Sequence, residues 1–116
     1  MERNRTELRA LLEGLRRDGK RVAGYGAAAK GATLLNHVGI DRDLLEFVVD
    51  RNTHKQGLFM PGTHQPIHDP AALLTEQPDY VLLLAWNFKD EIIAQQQEYL
   101  DRGGRFIVPV PSPEIL

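Results

Sequence analysis

Arg21-Val22-Ala23-Gly24-Tyr25-Gly26-Ala27-Ala28-Ala29-Lys30-Gly31 is the stretch from which the fold can be read. Arg21 to Gly24 is a short strand candidate, and the Gly/Ala-rich run behind it is a tight turn. Ala27 to His37 then reads as a helix that ends near Gly39, with Leu34, Leu35 and Val38 on its inner face. A strand that turns through glycines into a helix is the setting a phosphate-binding turn needs. Glycines let the backbone approach a pyrophosphate, and the first helical N–H groups and the positive helix end receive its charge. The pattern is GxGxxA, with Ala29 in place of the third glycine. Asp50 follows Gly26 by 24 residues, about where dinucleotide-binding folds place an acid for a ribose hydroxyl. The alternative is that the glycines only allow a turn and close helix packing, while Asp50 caps a loop.

Before this unit, Leu8, Leu11, Leu12 and Leu15 form one apolar stripe among charged residues, an amphipathic helix that stops near Asp18-Gly19. After it, Leu45 to Asp50 reads as a buried strand. The loop from Arg51 to Gly62 is locally basic through Arg51, His54 and Lys55, and it holds an apolar Leu58-Phe59-Met60 that invites packing or binding. Gln65 to His68 is an edge-strand candidate because Pro66 cannot donate to a ladder. Asp69-Pro70 opens a short helix through about Glu76. Asp79 to Ala85 is nearly all apolar, the mark of a central strand covered on both faces. Asn87 is the expected N-cap of a helix running to about Arg102, and Gly103-Gly104 stops it. Arg105 to Val110 is the last strand, with Pro111 and Pro113 expected to end regular structure.

This order predicts one α/β domain over residues 1–116, Rossmann-like, with a mainly parallel sheet of about four or five strands and helices on both faces. In such sheets ligands collect outside the carboxyl ends of the strands, where the strand order reverses. Gly24 to Gly31, Asp50 to Lys55, Trp86-Asn87 and Pro109 to Pro111 are expected to meet there. Lys30 is placed to pair with a bound phosphate and Trp86 to stack on a base or sugar, although a solvated lysine, a core tryptophan and a capping asparagine are equally ordinary readings.

Composition narrows the chemistry. The 116 residues hold one core, and 14 Lys+Arg against 16 Asp+Glu give a formal charge of −2, so no basic field suggests nucleic acid or a membrane surface. No cysteine is present, which removes disulfides, thiolate metal sites and cysteine nucleophiles. His64 and His68 are separated by Pro66 and cannot share a helix face, so a metal pair is not expected. Ser112 lies in a proline-rich tail outside any nucleophile elbow. Asp90-Glu91 is explained by the helix dipole alone. Apolar runs are far shorter than the ~20 residues that span a bilayer, and no apolar signal region follows the charged N-terminus. A soluble, cytoplasmic domain is expected.

Gly24 to Gly31, Asp50-Arg51-Asn52 with Lys55-Gln56-Gly57, Pro61 to His64, Pro78-Asp79-Tyr80 and Ala85 to Ile92 together resemble the C-terminal domain of S-adenosylmethionine-dependent sugar C-methyltransferases, from about Lys20 to Pro111. The resemblance implies a Rossmann-like domain that helps hold a nucleoside-diphosphate deoxysugar in a cleft shared with a central S-adenosylmethionine-binding domain. It implies substrate contact at Gly24, Tyr25, Gly26, Ala27, Lys30, Asp50, Lys55, Trp86 and Asn87. S-adenosylmethionine, structural zinc and the proton-handling residues would then belong to domains absent here, and this domain would bind no cofactor and transfer no methyl group itself. Either an excised piece of a larger enzyme or a stand-alone relative is expected. Two alternatives stay open: a free-standing dinucleotide- or coenzyme A-binding module, and a ligand-free scaffold that packs Leu58-Phe59-Met60 and Trp86 onto a partner domain.

Overall fold

A single sheet runs through the chain, and its order follows from which segments can bury both faces. The computed structural model describes residues 2–110 and 112–116, with side chains from residue 5 onward. The strands are β1 (Val22–Tyr25), β2 (Val48–Val49), β3 (Ile67–His68), β4 (Tyr80–Leu83), β5 (Arg105–Val108) and β6 (Glu114–Ile115). They lie in the order β3-β2-β1-β4-β5-β6. The first five are mutually parallel, and β6 returns antiparallel on β5. The chain builds outward from β1 in one direction through β2 and β3, then crosses back to lay β4 and β5 on the other side. The reversal falls between β1 and β4.

Side chains alternate across each strand, so the two faces have separate cores. Val22, Leu82 and Ile107 face α1 (Glu2–Arg17) and α2 (Ala29–Val38), meeting Leu8, Leu12, Leu15, Leu35 and Val38. Ala23, Val81, Leu83 and Phe106 face α3 (Ala72–Glu76), α4 (Lys89–Gln95) and α5 (Gln97–Asp101), meeting Leu73, Ile92 and Tyr99. Arg9 ties the first layer together. Its guanidinium donates to the carbonyls of Gly39 at 2.6 Å and Val38 at 3.3 Å, placing a cation on the negative end of α2. At the opposite end of the sheet from the turn, Arg21 pairs with Glu46 and Glu76, which hold its guanidinium well above the usual arginine range. These pairs are about half exposed and act mainly as surface stitching.

The α/β class and the parallel sheet agree with the sequence reading; several boundaries do not. The sheet has six strands because Glu114–Ile115 pairs with Val108 and Ile107 beyond the prolines expected to end it. Pro111 itself lies outside the described residues. Of Leu45 to Asp50 only Val48–Val49 is strand, and α2 begins at Ala29. Asn87 is no helix cap: it sits within a 3-10 turn, Trp86–Phe88, and the residue flanking α4 is Phe88. The expected long helix breaks at Gln96, whose N–H is shared between the carbonyls of Ile92 and Ile93. Met60 is fully buried in the first core, whereas Leu58 and Phe59 are exposed.

Two buried phenols separate this core's polar accounts. The Tyr99 hydroxyl donates to the Pro78 carbonyl at 2.7 Å, and burial pushes its pKa up. Because the folded state keeps that proton above pH 10.0, where an unfolded tyrosine loses it, stability must fall as pH rises past that value. Tyr99→Phe leaves a buried carbonyl unpaired and should cost about 1–2 kcal/mol in urea denaturation at pH 7. It should also flatten the loss of stability between pH 9 and 11, and an unchanged alkaline slope would refute the assignment.

Candidate functional site

The reversal between β1 and β4 puts the glycine turn beside the exit of β4. Gly26 takes φ +110°, and a Cβ there would stand 2.9 Å from the Ala85 Cβ. At Gly31 a Cβ would lie 2.8 Å from the Gly26 carbonyl oxygen and 2.9 Å from the Leu84 Cβ. Both glycines are thus required by close approach: the first for the turn, the second so that α2 can seat its first coil on the sheet. Gly24 likewise sits in the first core against Leu45, Leu84 and Val48, and contacts nothing outside the fold.

The turn is held from the neighbouring loop at a single peptide group. Asp50 Oδ2 accepts the Ala27 N–H at 2.7 Å, and Lys55 Nζ donates to the Ala27 carbonyl at 2.9 Å. Asp50 Oδ1 also accepts the Asn52 N–H at 2.8 Å. Gly26 N–H is used as well, donating to the Val49 carbonyl. Asp50 and Lys55 therefore act on the turn as clamps. The donors offered outward begin one residue later. Ala28 flanks α2 in an extended conformation with no side-chain cap, and Ala28, Ala29 and Lys30 are exposed. An uncapped helix end leaves N–H groups for solvent or a ligand.

Lys30 and Trp86 stand at this opening. The ammonium lies 4.8 Å from the indole centroid, a cation–π pair. Both line an apolar cavity of about 540 Å³ with Leu8, Leu34, Val38 and Val110. The expected meeting of Gly24 to Gly31, Trp86 and the end of β5 is thus present, with Asp50 to Lys55 reaching it through Ala27. Asn87 is exposed and does not line the cavity. Among the described residues, no group of three His, Asp or Glu could hold a metal ion, and no helix is long and apolar enough to cross a membrane.

Residues 1–111 match the family described as the C-methyltransferase C-terminal domain. The chain belongs to that family. It is 46% identical over 115 residues to C-methyltransferase NovU of Streptomyces niveus, covering 99% of this chain and 27% of that relative. This chain therefore spans about a quarter of the length of the curated relative it matches, corresponding to the C-terminal domain of a C-methyltransferase.

The spacing of Asp50 from Gly26 suits either a ligand contact or a loop cap, and within the fold its carboxylate accepts the Ala27 N–H. No sequence signal marked Gln95 and Gln96, which the break between α4 and α5 brings to a second, polar recess beside Arg51 and Asp69. Asp50→Ala frees the Ala27 N–H and should cost about 1–2 kcal/mol. Amide exchange at Ala27 should accelerate together with that loss, while Lys55→Met gives a smaller one. Unaltered Ala27 exchange in Asp50→Ala would show that the clamp does not hold the turn.

Proposed function

We propose that this domain holds the substrate of an S-adenosylmethionine-dependent C-methyltransferase, a nucleoside-diphosphate deoxysugar, by its diphosphate. One observation carries the reading: the uncapped start of α2 opens beside Lys30 and Trp86 at the reversal of strand order. Helix N–H groups receive phosphate oxygens, the helix dipole favours their charge, and Lys30 can leave the indole to pair with them. Gly26, Tyr25 and Ala27 shape this seat from below. The family membership and the name of the NovU relative support the methyltransferase setting.

The chemistry of such an enzyme takes a proton from the carbon beside a keto group and passes the carbanion equivalent to a sulfonium methyl. A zinc site with thiolate ligands would have to lie elsewhere in the enzyme, since this chain has no cysteine, and S-adenosylmethionine is placed in another domain by the family resemblance. What this chain's residues do is position. Anchoring the remote diphosphate on a clamped turn fixes where the sugar emerges and lets binding energy orient the reacting carbon toward the partner domain. The apolar cavity of Leu34, Trp86 and Val110 lies at the same mouth and suits contact with that domain.

Asp50, the acid a dinucleotide module would turn to a ribose, is here engaged by the Ala27 and Asn52 N–H groups. The scaffold reading keeps one specific support. Leu58 and Phe59 are 57% and 58% exposed on the segment that pairs antiparallel with β3, a surface suited to packing on another domain.

Inorganic pyrophosphate titrated into the 116-residue chain should move the amide signals of Ala28 to Gly31 and the Trp86 indole. Lys30→Ala should weaken binding about three- to tenfold, and added salt should weaken it further. Shifts confined to other regions, with Lys30→Ala neutral, would overturn the proposal.

A further inference from the structure

Trp86 and Lys30 meet at the sheet end from different elements, and only one of them is free to move. Trp86 sits in the 3-10 turn behind β4, and the chain leading into that turn is pinned. The Leu84 and Ala85 N–H groups both donate to the Tyr25 carbonyl, at 2.9 and 3.2 Å, and the Phe88 N–H donates to the Ala85 carbonyl at 3.0 Å. The indole is half-buried and packs in part against the second core. Lys30 is exposed in the first turn of α2, at the end of a flexible stem. Its ammonium lies 4.8 Å from the indole centroid, and among the described residues no carboxylate pairs with it. The lysine therefore rests on the ring by a weak contact and is drawn off by any stronger one.

Magnitudes decide which contact wins. An exposed cation–π pair is worth about two- to fivefold in an equilibrium constant, whereas a charge-assisted hydrogen bond from an ammonium to a phosphate oxygen is worth about tenfold or more. An anion at the start of α2 thus takes the ammonium from the indole. Both side chains line the apolar cavity with Leu8, Leu34, Val38 and Val110, so the ring face that the lysine leaves stands at the mouth of that cavity. Before the anion arrives the ring is covered by a charge; afterwards its face is open.

We propose that Lys30 is a latch on Trp86: an anion bound at the start of α2 withdraws the ammonium and opens the indole face to the apolar cavity, so that anion binding and apolar contact at this mouth strengthen one another. The inference deepens the proposed function and rests on it, since the anion is the diphosphate that reading places there. Linkage makes the coupling reciprocal and also bounds it. Neither contact can help the other by more than the cation–π pair holds back, about two- to fivefold. An order of events follows, in which a surface closing over the mouth meets the bare ring only after the diphosphate is seated. In this role Trp86 restrains the anion seat and forms no part of it.

The test measures pyrophosphate affinity of the full chain from the amide shifts of Ala28 to Gly31. Trp86→Leu releases the ammonium and should bind pyrophosphate about two- to fivefold more tightly, while Trp86→Phe, whose ring holds a cation less well, should fall between. Trp86→Phe keeps an aromatic ring against the second core and carries the test alone where Trp86→Leu does not fold. On a Lys30→Ala background neither change should give a gain. Acrylamide quenching of Trp86, the single tryptophan of the chain, should rise on saturation with pyrophosphate in the wild type and stay level in Lys30→Ala. Weaker or unchanged pyrophosphate binding in the Trp86 variants, with the wild-type shifts at Ala28 to Gly31 present, overturns the latch and leaves the diphosphate anchor standing. A gain that survives Lys30→Ala, or wild-type quenching that stays level at saturation, overturns the latch as well. Absence of pyrophosphate shifts in the wild type removes both readings.

Discussion

The peptide group of Ala27 is gripped from both ends, by a carboxylate on its N–H and an ammonium on its carbonyl, and the rest of the site depends on that grip. A glycine turn is conformationally free in isolation, and one with φ +110° at Gly26 has no side chain of its own to restrain it. Asp50 and Lys55 supply the restraint from the loop after β2. The pair is charge-balanced and local, so the turn is fixed without placing a net charge at the mouth. Because Gly26 and Ala27 spend their N–H groups inward, the donors left over are those at the start of α2, all pointing along one helix axis. Direction is thereby set by the fold before any ligand arrives.

The same economy separates the two faces of β1. On the α2 side the sheet end is small and apolar, built from Gly24, Gly26, Gly31 and Ala85, since backbone must approach backbone there. On the other side it ends in a phenol among polar groups. Tyr25 and Tyr99 belong to the same core cluster and both are buried, yet only one has its hydroxyl answered by the chain. Packing alone would be served by phenylalanine at position 25.

Much of this was legible in the sequence because the signals were local. Arg21 to Gly24 and Asp79 to Ala85 announce strands by composition, Leu8, Leu11, Leu12 and Leu15 announce a helix face by spacing, and Gly26 with Gly31 mark a turn that only small residues permit. What the sequence obscured was set by distant partners. Asn87 looked like a cap, but the chain leaves β4 through a 3-10 turn that carries Trp86 over the sheet end, so the helix starts later. Met60 looked like loop surface, but its N–H and carbonyl pair with Gln65 and His64, and the tight turn so formed drives the side chain into the core. The pairing of Glu114–Ile115 with β5 is a tertiary event that Pro111 and Pro113 do not forbid, because neither lies within the paired segment. For Asp50 the structure adds the bonds to the Ala27 and Asn52 N–H groups, in keeping with the alternative that it caps a loop: spacing tells where a carboxylate arrives, while the nearest N–H groups show what it holds within the fold.

A domain built in this way is a weak binder by itself, and the reason is quantitative. An open helix end contributes about 0.3–1 kcal/mol toward an anion at an exposed site, and an exposed lysine pair adds roughly 0–1 kcal/mol. Even with a few hydrogen bonds of about 1 kcal/mol each, the sum stands near the ~4 kcal/mol that corresponds to millimolar affinity. Tight, specific retention then requires a second wall that excludes water and strengthens each of these contacts. The half-buried indole, the apolar cavity beside it and the exposed Leu58 and Phe59 are surface that this chain could give to such a wall. On the proposed reading that wall is a neighbouring domain of the same polypeptide, and tethering would raise its effective concentration to roughly millimolar or above. On the proposed reading, a seat that is rigid but weak would orient a ligand without retaining it, and the remaining strength would come from the second wall.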